Sequence, residues 1–489
     1  MPSTTQRGWL GIDLGTQGCR VAVVNDAGQL LAAADSPIRS ARGLPGRREQ
    51  DPELWKAAVS AACRQALSGL GDHPIAGLAI CGTSGTILVA DRTGRPLTPA
   101  LMYDDARAVE ELPVVSDAWA TCAIRNGYRI QPTWALPKLA WIMRHVEGAA
   151  EGRLYHVGDF IGSWLAGEPV AMDTSHALKT GYDLASGRWP EEAFDAADIP
   201  ISVLPPVVRP GTAVGTVSLE GAAIAGLPAG TPVLAGMTDG CAGQIASGAM
   251  HVGEWNSSLG TTFILKGVSR RLLHDGAGAV YSHAHPDGGW LPGGASNSGA
   301  GVLATAFPRA DLAQMDRAAA AYAPTNVVRY PLSVPGERFP FVRPDAEPFM
   351  LGTPHDDAEV FAALLQGVAF VERLSLSYVE ALGADVTGPV AFTGGATRSS
   401  HWTQLRADVL GRPARLPCHP DSAVGMAIVA AAGTGSVTDA SDRMVHTNKV
   451  VEPRLDRTER YLDVYRTMVD ELERRGHIDP KFATLARAQ

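Results

Sequence analysis

Four short segments carry residues whose types and spacing suit phosphate chemistry. The first is Asp13-Leu-Gly-Thr-Gln-Gly18, set between two β-rich runs. Gly15 and Gly18 permit positive φ and a close backbone approach. The amides of such a turn, Gln17 among them, can form a concave anion site, with the Thr16 hydroxyl as a further donor. Asp13, at the end of a strand, projects a carboxylate toward the same point. A carboxylate beside a phosphate nest calls for a cation between them, and Mg2+ is the natural one. An ordinary hairpin with a turn aspartate accounts for the same residues equally well.

The second segment, Ser258-Leu-Gly-Thr-Thr262, offers amides and hydroxyls at Gly260, Thr261 and Thr262 but no carboxylate. By itself it reads as a polar hairpin. Paired with the first turn it gains meaning, because a triphosphate needs donors from both sides of a cleft. In the third, Gly236-Met-Thr-Asp-Gly-Cys-Ala-Gly243, Asp239 follows the strand-like run PVLA, where α/β proteins place their sites. The competing reading is a helix N-cap, for which Asp is a preferred residue. The fourth, Ala391 to Trp402, reads as strand, Gly394-Gly395 turn and helix, and would let a flat ring approach the backbone. A tight strand–helix turn is the plainer reading. Asp421 to Ala427 starts another small-residue helix, suited to packing near such a ring.

Other signals are bland or missing. His283 and His285 alternate without a third ligand, which makes them hydrogen-bonded or surface histidines. His355-Asp-Asp357 reads as a helix start with acidic residues near its N-terminus. The chain has no GxxxxGK[ST], no GxGxxG after a strand and no HExxH.

The elements that must position these residues are legible in outline. The chain opens as strand, Gly-containing turn, strand, turn and strand, with Trp9 to Asp13 and Arg20 to Asn25 as the first two. Gln50 to Leu67 is a helix, with Asp51 as N-cap and Pro52 at its first position. Ile75 to Asp91 returns to strand character. The later run from His251 repeats the opening pattern, which suggests two domains of related build. The Pro/Gly-rich stretch from Pro205 to Gly236 is the expected boundary between them. The segment from Arg457 to His477 has apolar residues at helical spacing and reads as a surface helix.

The totals bound the answer. A chain of 489 residues needs more than one core. Hydrophobic residues at 45% and charged residues at 19% are ordinary for a soluble globular protein. The net charge of −9 and the lack of any Lys/Arg block argue against nucleic acid as a partner. Six scattered cysteines without a CxxC pair point to reduced thiols. The N-terminus lacks the pattern of a secretory signal, and no run approaches the ~18 apolar residues of a membrane span. A cytoplasmic protein without membrane partners is expected.

Taken in order, these motifs resemble those of the FGGY carbohydrate kinases, within the actin/Hsp70/sugar-kinase superfamily. The resemblance covers most of the chain. The turn from Asp13 looks like the first phosphate motif, Gln50-Asp-Pro52 with Trp55 like the "QDP..W" helix start, and Pro137-Lys-Leu-Ala-Trp141 like a signature core. The segments from Gly236, Ser258 and Thr393 look like the catalytic-aspartate, second phosphate and adenosine motifs. The resemblance implies an α/β fold of two actin-like (ribonuclease H-like) domains. Each is a central mixed sheet flanked by helices, with the active site in the cleft between them. The expected division is 1–236 for the sugar side, 237–440 for the ATP side and 441–489 for a helical tail packing back on a domain.

What the resemblance implies about the site follows. ATP and Mg2+ are the cofactors. Asp239 takes the proton of a terminal sugar hydroxyl, and Asp13 holds Mg2+ directly or through water. Gly15, Thr16, Gln17, Gly260, Thr261 and Thr262 serve the phosphates; Gly394, Gly395, Ala396 and Ser399 serve the nucleoside. Ser84, Tyr103, Asp105, Arg107 and Asp239 meet the sugar. Within the family, the segments Gly82 to Thr86, Ala100 to Arg107 and Ala177 to Asp183 are most similar to D-ribulose kinases of the plant and cyanobacterial type. Xylulose kinases usually carry a Met-His pair in the first of these segments, and this chain does not. Asp104-Asp105 stands where family members often have Asn-Asp, and Ala135 replaces the usual small hydroxyl or Pro residue. D-ribulose is the first expectation, with xylulose, ribitol, erythritol or glycerol as alternatives. An actin-like ATP-binding module without kinase activity is the alternative of another class. A homodimer is common in the family.

Overall fold

A computed structural model describes residues 7–39, 46–71 and 73–488. They fall into two compact units. The first holds the described residues up to Gly248, together with His283–Gly288 and His419–His446. The second holds Ala249–Ser282, Gly289–Cys418 and the chain from Thr447 onward.

The first unit is built on a six-stranded mixed sheet. Its strand order is Ala213–Thr216, Pro232–Leu234, Ile75–Gly82, Gly8–Gly15, Gly18–Asn25, Leu30–Pro37. Gly8–Gly15 and Gly18–Asn25 form an antiparallel hairpin, and Ile75–Gly82 runs parallel to the first strand. Side chains alternate across a strand. Leu10, Ile12 and Leu14 therefore share one face, where they join a core with Trp55 and Val59 of the helix Pro52–Leu67. That helix starts as expected, with the Asp51 side chain accepting from the Glu53 amide and Pro52 in its first turn.

Gly11 and Asp13 lie on the other face. A Cβ at Gly11 would stand 1.7 Å from the Ala423 carbonyl oxygen, so only glycine lets the helix Ser422–Ala432 pack flat on this strand. The same helix meets the helix Asp239–Ser247 at Gly425, whose Cβ would stand 2.0 Å from the Ala242 carbonyl oxygen. The small-residue helix after Asp421, expected beside a nucleotide ring, is thus a packing partner of the first strand. The residues Ala423, Gly425 and Ala427 are small because backbones approach there.

The second unit repeats the plan. Its seven-stranded sheet has the order Tyr281–Ala284, Trp290–Ser296, Phe263–Gly267, Trp255–Leu259, Val390–Thr393, Ala414–Pro417, Thr447–Val451. Trp255–Leu259 and Phe263–Gly267 form the opening hairpin, and Val390–Thr393 runs parallel to the first of them. The helix Asp357–Ala381 is long and apolar enough to cross a membrane, but 94% of that stretch is buried inside the unit, as befits a core helix. Asp356 caps it by accepting from the Glu359 amide, as the sequence suggested. The helix Leu455–Arg474, followed only by the helix Pro480–Ala488, buries Tyr461, Val464, Tyr465, Met468, Val469 and Leu472, a helical stripe.

Two sequence expectations need revising. The Pro/Gly-rich stretch from Pro205 to Gly236, expected at the boundary, supplies two strands of the first sheet, one of them the strand-like run at Pro232–Leu234, and the helix Leu219–Ala225. The compact units also differ from the linear segments 1–236, 237–440 and 441–489, because residues up to Gly248 and His419–His446 sit with the first unit.

Candidate active site

The hairpin register builds the first part of the site. Gly15 pairs with Gly18, which places Arg20 directly opposite Asp13. Arg20 Nη2 lies 3.2 Å from Asp13 Oδ2, and Nη1 lies 3.2 Å from Asp421 Oδ1. Cys81, on the neighbouring strand in register with Asp13, donates its thiol to Asp13 Oδ1 at 3.5 Å. Asp421 begins the helix Ser422–Ala432 but makes no side-chain cap, so its carboxylate is left for Arg20. Burial pushes Asp13 up to about 6; Arg20 opposes this, while Asp239 and Asp421 add to it. Burial lowers the Arg20 guanidinium, but Asp13 and Asp421 outweigh it and hold its pKa above the usual value.

Glycine at the first turn serves differently than expected. Neither Gly15 nor Gly18 is among the residues with positive φ. Gly18 is required by space, since its Cβ would stand 2.9 Å from the Ser36 carbonyl oxygen. The turn is held from behind. Gln50 Nε2 donates to the Thr16 carbonyl at 2.6 Å, and Trp55 Nε1 donates to Gln50 Oε1 at 2.8 Å. The exposed Gln17 accepts from the Ile38 amide through its carbonyl at 2.9 Å.

Asp239 is not an N-cap. Thr238 occupies that position, and Asp239 is the first residue of the helix Asp239–Ser247. Its Oδ1 accepts from the Gly240 amide at 2.7 Å, and its carbonyl accepts from Ser422 Oγ at 3.1 Å. A carboxylate at a helix N-terminus is favoured by the helix dipole.

A second cluster of the first unit surrounds the loop Gly82–Thr86. Gly85 takes φ +93, and the loop is pinned by Lys138, which is fully buried. Lys138 Nζ donates to the Gly85 carbonyl at 2.6 Å and to the Met102 carbonyl at 2.7 Å. Burial pulls the Lys138 ammonium down to about 7, against the nearby Asp105. Ser84 Oγ is buried and has no hydrogen-bond partner among the described residues. Tyr103, next to Met102, is exposed.

Asp105 and Arg107 are placed otherwise than expected of sugar contacts. Asp105 is fully buried and accepts from the Arg48 amide at 2.6 Å and from Arg107 Nε and Nη2 at 2.9 and 2.8 Å. Arg107 also meets Glu49 at 2.6 Å and lies over the Trp141 ring. The pair is occupied with itself and shapes the segment from Met102, in which Tyr103 and Asp104 are exposed.

The second unit presents the other turn. Gly260–Thr262 closes the hairpin Trp255–Leu259/Phe263–Gly267, and the Gly260 and Thr261 carbonyls accept from the Ala300 and Gly301 amides at 2.8 and 3.0 Å. Gly394 takes φ +85, and its Cβ would stand 2.5 Å from the Leu259 carbonyl oxygen. The Gly-Gly turn therefore lies against the end of the hairpin strand, with Gly395 exposed and Ala396 buried. Ser399 is committed elsewhere: it caps the helix Ser400–Leu410 by accepting from the Trp402 amide and donates to Asp316 Oδ2 at 2.7 Å.

Sequence reasoning overlooked Arg20 and Cys81, and it named Gln50, Lys138 and Asp421 only as members of motifs, without these contacts. The hairpin itself signalled Arg20, because a turn closed by residues 15 and 18 sets 20 against 13. Asp421 lies 401 residues from Arg20, and no local signal links them.

The two repeated sheets, each opened by an antiparallel hairpin, define a class of two-domain α/β fold with mixed sheets flanked by helices. The profile of the FGGY family of carbohydrate kinases matches on both sides: its N-terminal domain over residues 8–246 and its C-terminal domain over 256–434. The chain belongs to the FGGY family of carbohydrate kinases and is an ATP-dependent sugar kinase. It is 29% identical to a xylulose kinase of Klebsiella pneumoniae over 82% of this chain and 85% of that one. It is 30% identical to a xylulose kinase of Streptomyces coelicolor, covering 92% and 93%. The structure of a xylulose kinase from Rhodospirillum rubrum is similar at a TM-score of 0.85 and 28% identity, covering 97% and 100%. These relatives bear the name xylulose kinase, not ribulose kinase.

Proposed function

We propose that the protein transfers the γ-phosphate of ATP to the terminal hydroxyl of a pentulose, with Asp239 as the proton acceptor. The observation that carries this reading is the placement of Asp239 at the first position of its helix, inside the N-cap position held by Thr238, so that its carboxylate is not used as the N-cap. The sugar O–H bond breaks toward the Asp239 carboxylate as the oxygen bonds to the γ-phosphorus, and ADP leaves with the bridging oxygen. Most of the work in such a transfer is positioning and charge stabilisation, and the base contributes modestly to a loose transition state.

No group of three or more acidic, His or Cys side chains among the described residues forms a metal-ligand cluster, so an Mg2+ held at Asp13 would take most of its ligands from phosphate and water. Three carboxylates, Asp13, Asp239 and Asp421, interact there with the guanidinium of Arg20. Burial disfavours ionised Asp13, and a divalent cation would restore it. Asp13 would hold the ion directly or through water; when bound, the ion neutralises charge on the phosphate oxygens. Thr16, Gln17, Gly260, Thr261 and Thr262 are the proposed phosphate donors. Gly394, Gly395 and Ala396 supply a surface for adenine. Ser84, whose hydroxyl is unclaimed, and the exposed Tyr103 are the proposed sugar contacts.

Xylulose is the first sugar to test, supported by the names of relatives that match most of the chain. D-ribulose is the second, supported by Thr83-Ser84 where xylulose kinases usually have Met-His. Five buried free thiols and the exposed Cys418 support a reducing, cytoplasmic setting. The test is sugar-dependent ADP release with xylulose, ribulose, ribitol, erythritol and glycerol. Turnover fastest with a pentulose bears the proposal out. Turnover fastest with a polyol overturns the substrate class.

A further inference from the structure

The segment that carries Asp239 is held by a buried chain of hydrogen bonds from elsewhere in the same unit. The Thr238 amide donates to Ser175 Oγ at 2.8 Å. Ser175 Oγ in turn donates to Asp173 Oδ1 at 2.7 Å. Asp173 Oδ1 also accepts the amides of Ser175 and His176 at 2.8 and 3.0 Å, and Oδ2 faces His176 Nδ1 at 2.6 Å. Ser175 and His176 are fully buried, Thr238 is 1% exposed and Asp173 5%.

A hydroxyl has one proton to give. Because Asp173 takes it, a lone pair of Ser175 is left to face the Thr238 amide. Asp173 is also the N-cap of the helix Thr174–Ala177, and capping alone would explain its contacts to amides. Capping does not require the ion partner His176, whose Nε2 is buried without a hydrogen-bond partner among the described residues. Desolvation opposes the charged imidazole, yet Asp173, Asp159 and Asp239 together raise its pKa above the ordinary value. The pair keeps Asp173 ionised, and an ionised Asp173 keeps Ser175 oriented. Around this point the chain is tightly placed: Thr238 bridges Gly82, and a Cβ at Gly236 would stand 1.9 Å from the Ile80 carbonyl oxygen.

We propose that Asp173, Ser175 and His176 are positioning residues for phosphoryl transfer, fixing the start of the Asp239 helix through the Thr238 amide. This rests on the reading of Asp239 as proton acceptor. Small displacements of a catalytic group are costly: an error of about 1 Å can lower a rate on the order of a hundredfold.

The test compares the full-length protein with Ser175→Ala, Ser175→Thr, Asp173→Asn and Asp239→Asn, using the sugar with the fastest turnover. Ser175→Ala and Asp173→Asn are expected to lower kcat about 10- to 100-fold, with both KM values within about twofold. Ser175→Thr, which keeps the hydroxyl, is expected to recover most of the rate. Hydrogen exchange of the peptide spanning Gly236 to Cys241 is read alongside, slow in the unaltered protein and faster in Ser175→Ala. An unchanged kcat in Ser175→Ala while Asp239→Asn is inactive overturns the relay. So does a Ser175→Thr variant as slow as Ser175→Ala. Fast exchange of that peptide in the unaltered protein overturns it even if the variants fail to fold. Turnover retained in Asp239→Asn removes the functional reading instead, and the exchange measurement then decides the relay by itself.

Discussion

In the proposed mechanism, Asp239 and Asp13 divide the chemistry by environment. Asp239 begins a helix, and Asp13 lies buried beside Arg20. Asp239→Asn keeps the shape of the side chain but removes its basicity. Its kcat should fall by about 10²- to 10⁴-fold, with the sugar KM little changed, in steady-state ADP release. Asp159 offers a separate test at the same scale. Burial raises its carboxyl from 3.8 to about 7, despite the nearby His176; Asp173 raises it further. The folded state therefore holds this proton more tightly than the unfolded state. Its stabilising contribution is complete below pH 3.8 and is lost as pH rises through about 7. Asp159→Asn keeps an acceptor for the His156 amide. The variant should melt at a higher temperature than the unaltered protein at pH 8, with the gain shrinking at pH 4.

Elements reach the site through a few contacts each. Gln50, ahead of the helix Pro52–Leu67, ties that helix to the first turn by holding the Thr16 carbonyl and the Trp55 ring N–H. Gln50→Leu leaves the buried Trp55 N–H unpaired, at a cost of about 1–3 kcal/mol. Thermal melting should show that loss, and the KM for ATP should rise while the sugar KM stays. The contact of Ser422–Ala432 with Asp239–Ser247 rests on Gly425. Gly425→Ala sets a methyl against the Ala242 carbonyl and should cost about 1–3 kcal/mol or more, with kcat lowered as the Asp239 helix shifts. Gly243→Ala is the control, since its nearest neighbour is Ser422 Oγ at an ordinary 3.5 Å.

Across the whole molecule, each unit secures its hairpin by its own core. In the second unit the fully buried Arg406 pairs with Glu372 at 2.8 Å, donates to Ser257 Oγ at 2.8 Å and lies over the Phe392 ring. Arg406 thus joins the core helix to the two strands that end at Leu259 and Thr393. Arg406→Met would leave Glu372 buried and unpaired, and denaturant unfolding should show a loss of about 3–5 kcal/mol. Adding Glu372→Gln should restore part of it. The family and the two related sheets were legible in the chain, because hairpins, caps and Gly turns are local and each announces itself within a few residues. Asp51, Pro52, the helix start at His355–Asp357 and both Gly-containing hairpin turns fell where the spacing put them. Asp105 and Ser399 were harder, since a polar side chain near a motif looks the same whether it faces a ligand or another protein group. Only the tertiary structure showed Asp105 occupied by Arg107 and Ser399 by Asp316. It also carried Asp421 and the helix after it back to the first strand, where Gly11 and Gly425 admit the backbone. The sequence determined which short segments form turns, strands and caps, because those depend on neighbours along the chain. Which carboxylates gather around Arg20, and which seryl hydroxyl holds the Asp239 helix, was decided by packing between distant segments, where burial and hydrogen-bond satisfaction choose the partners.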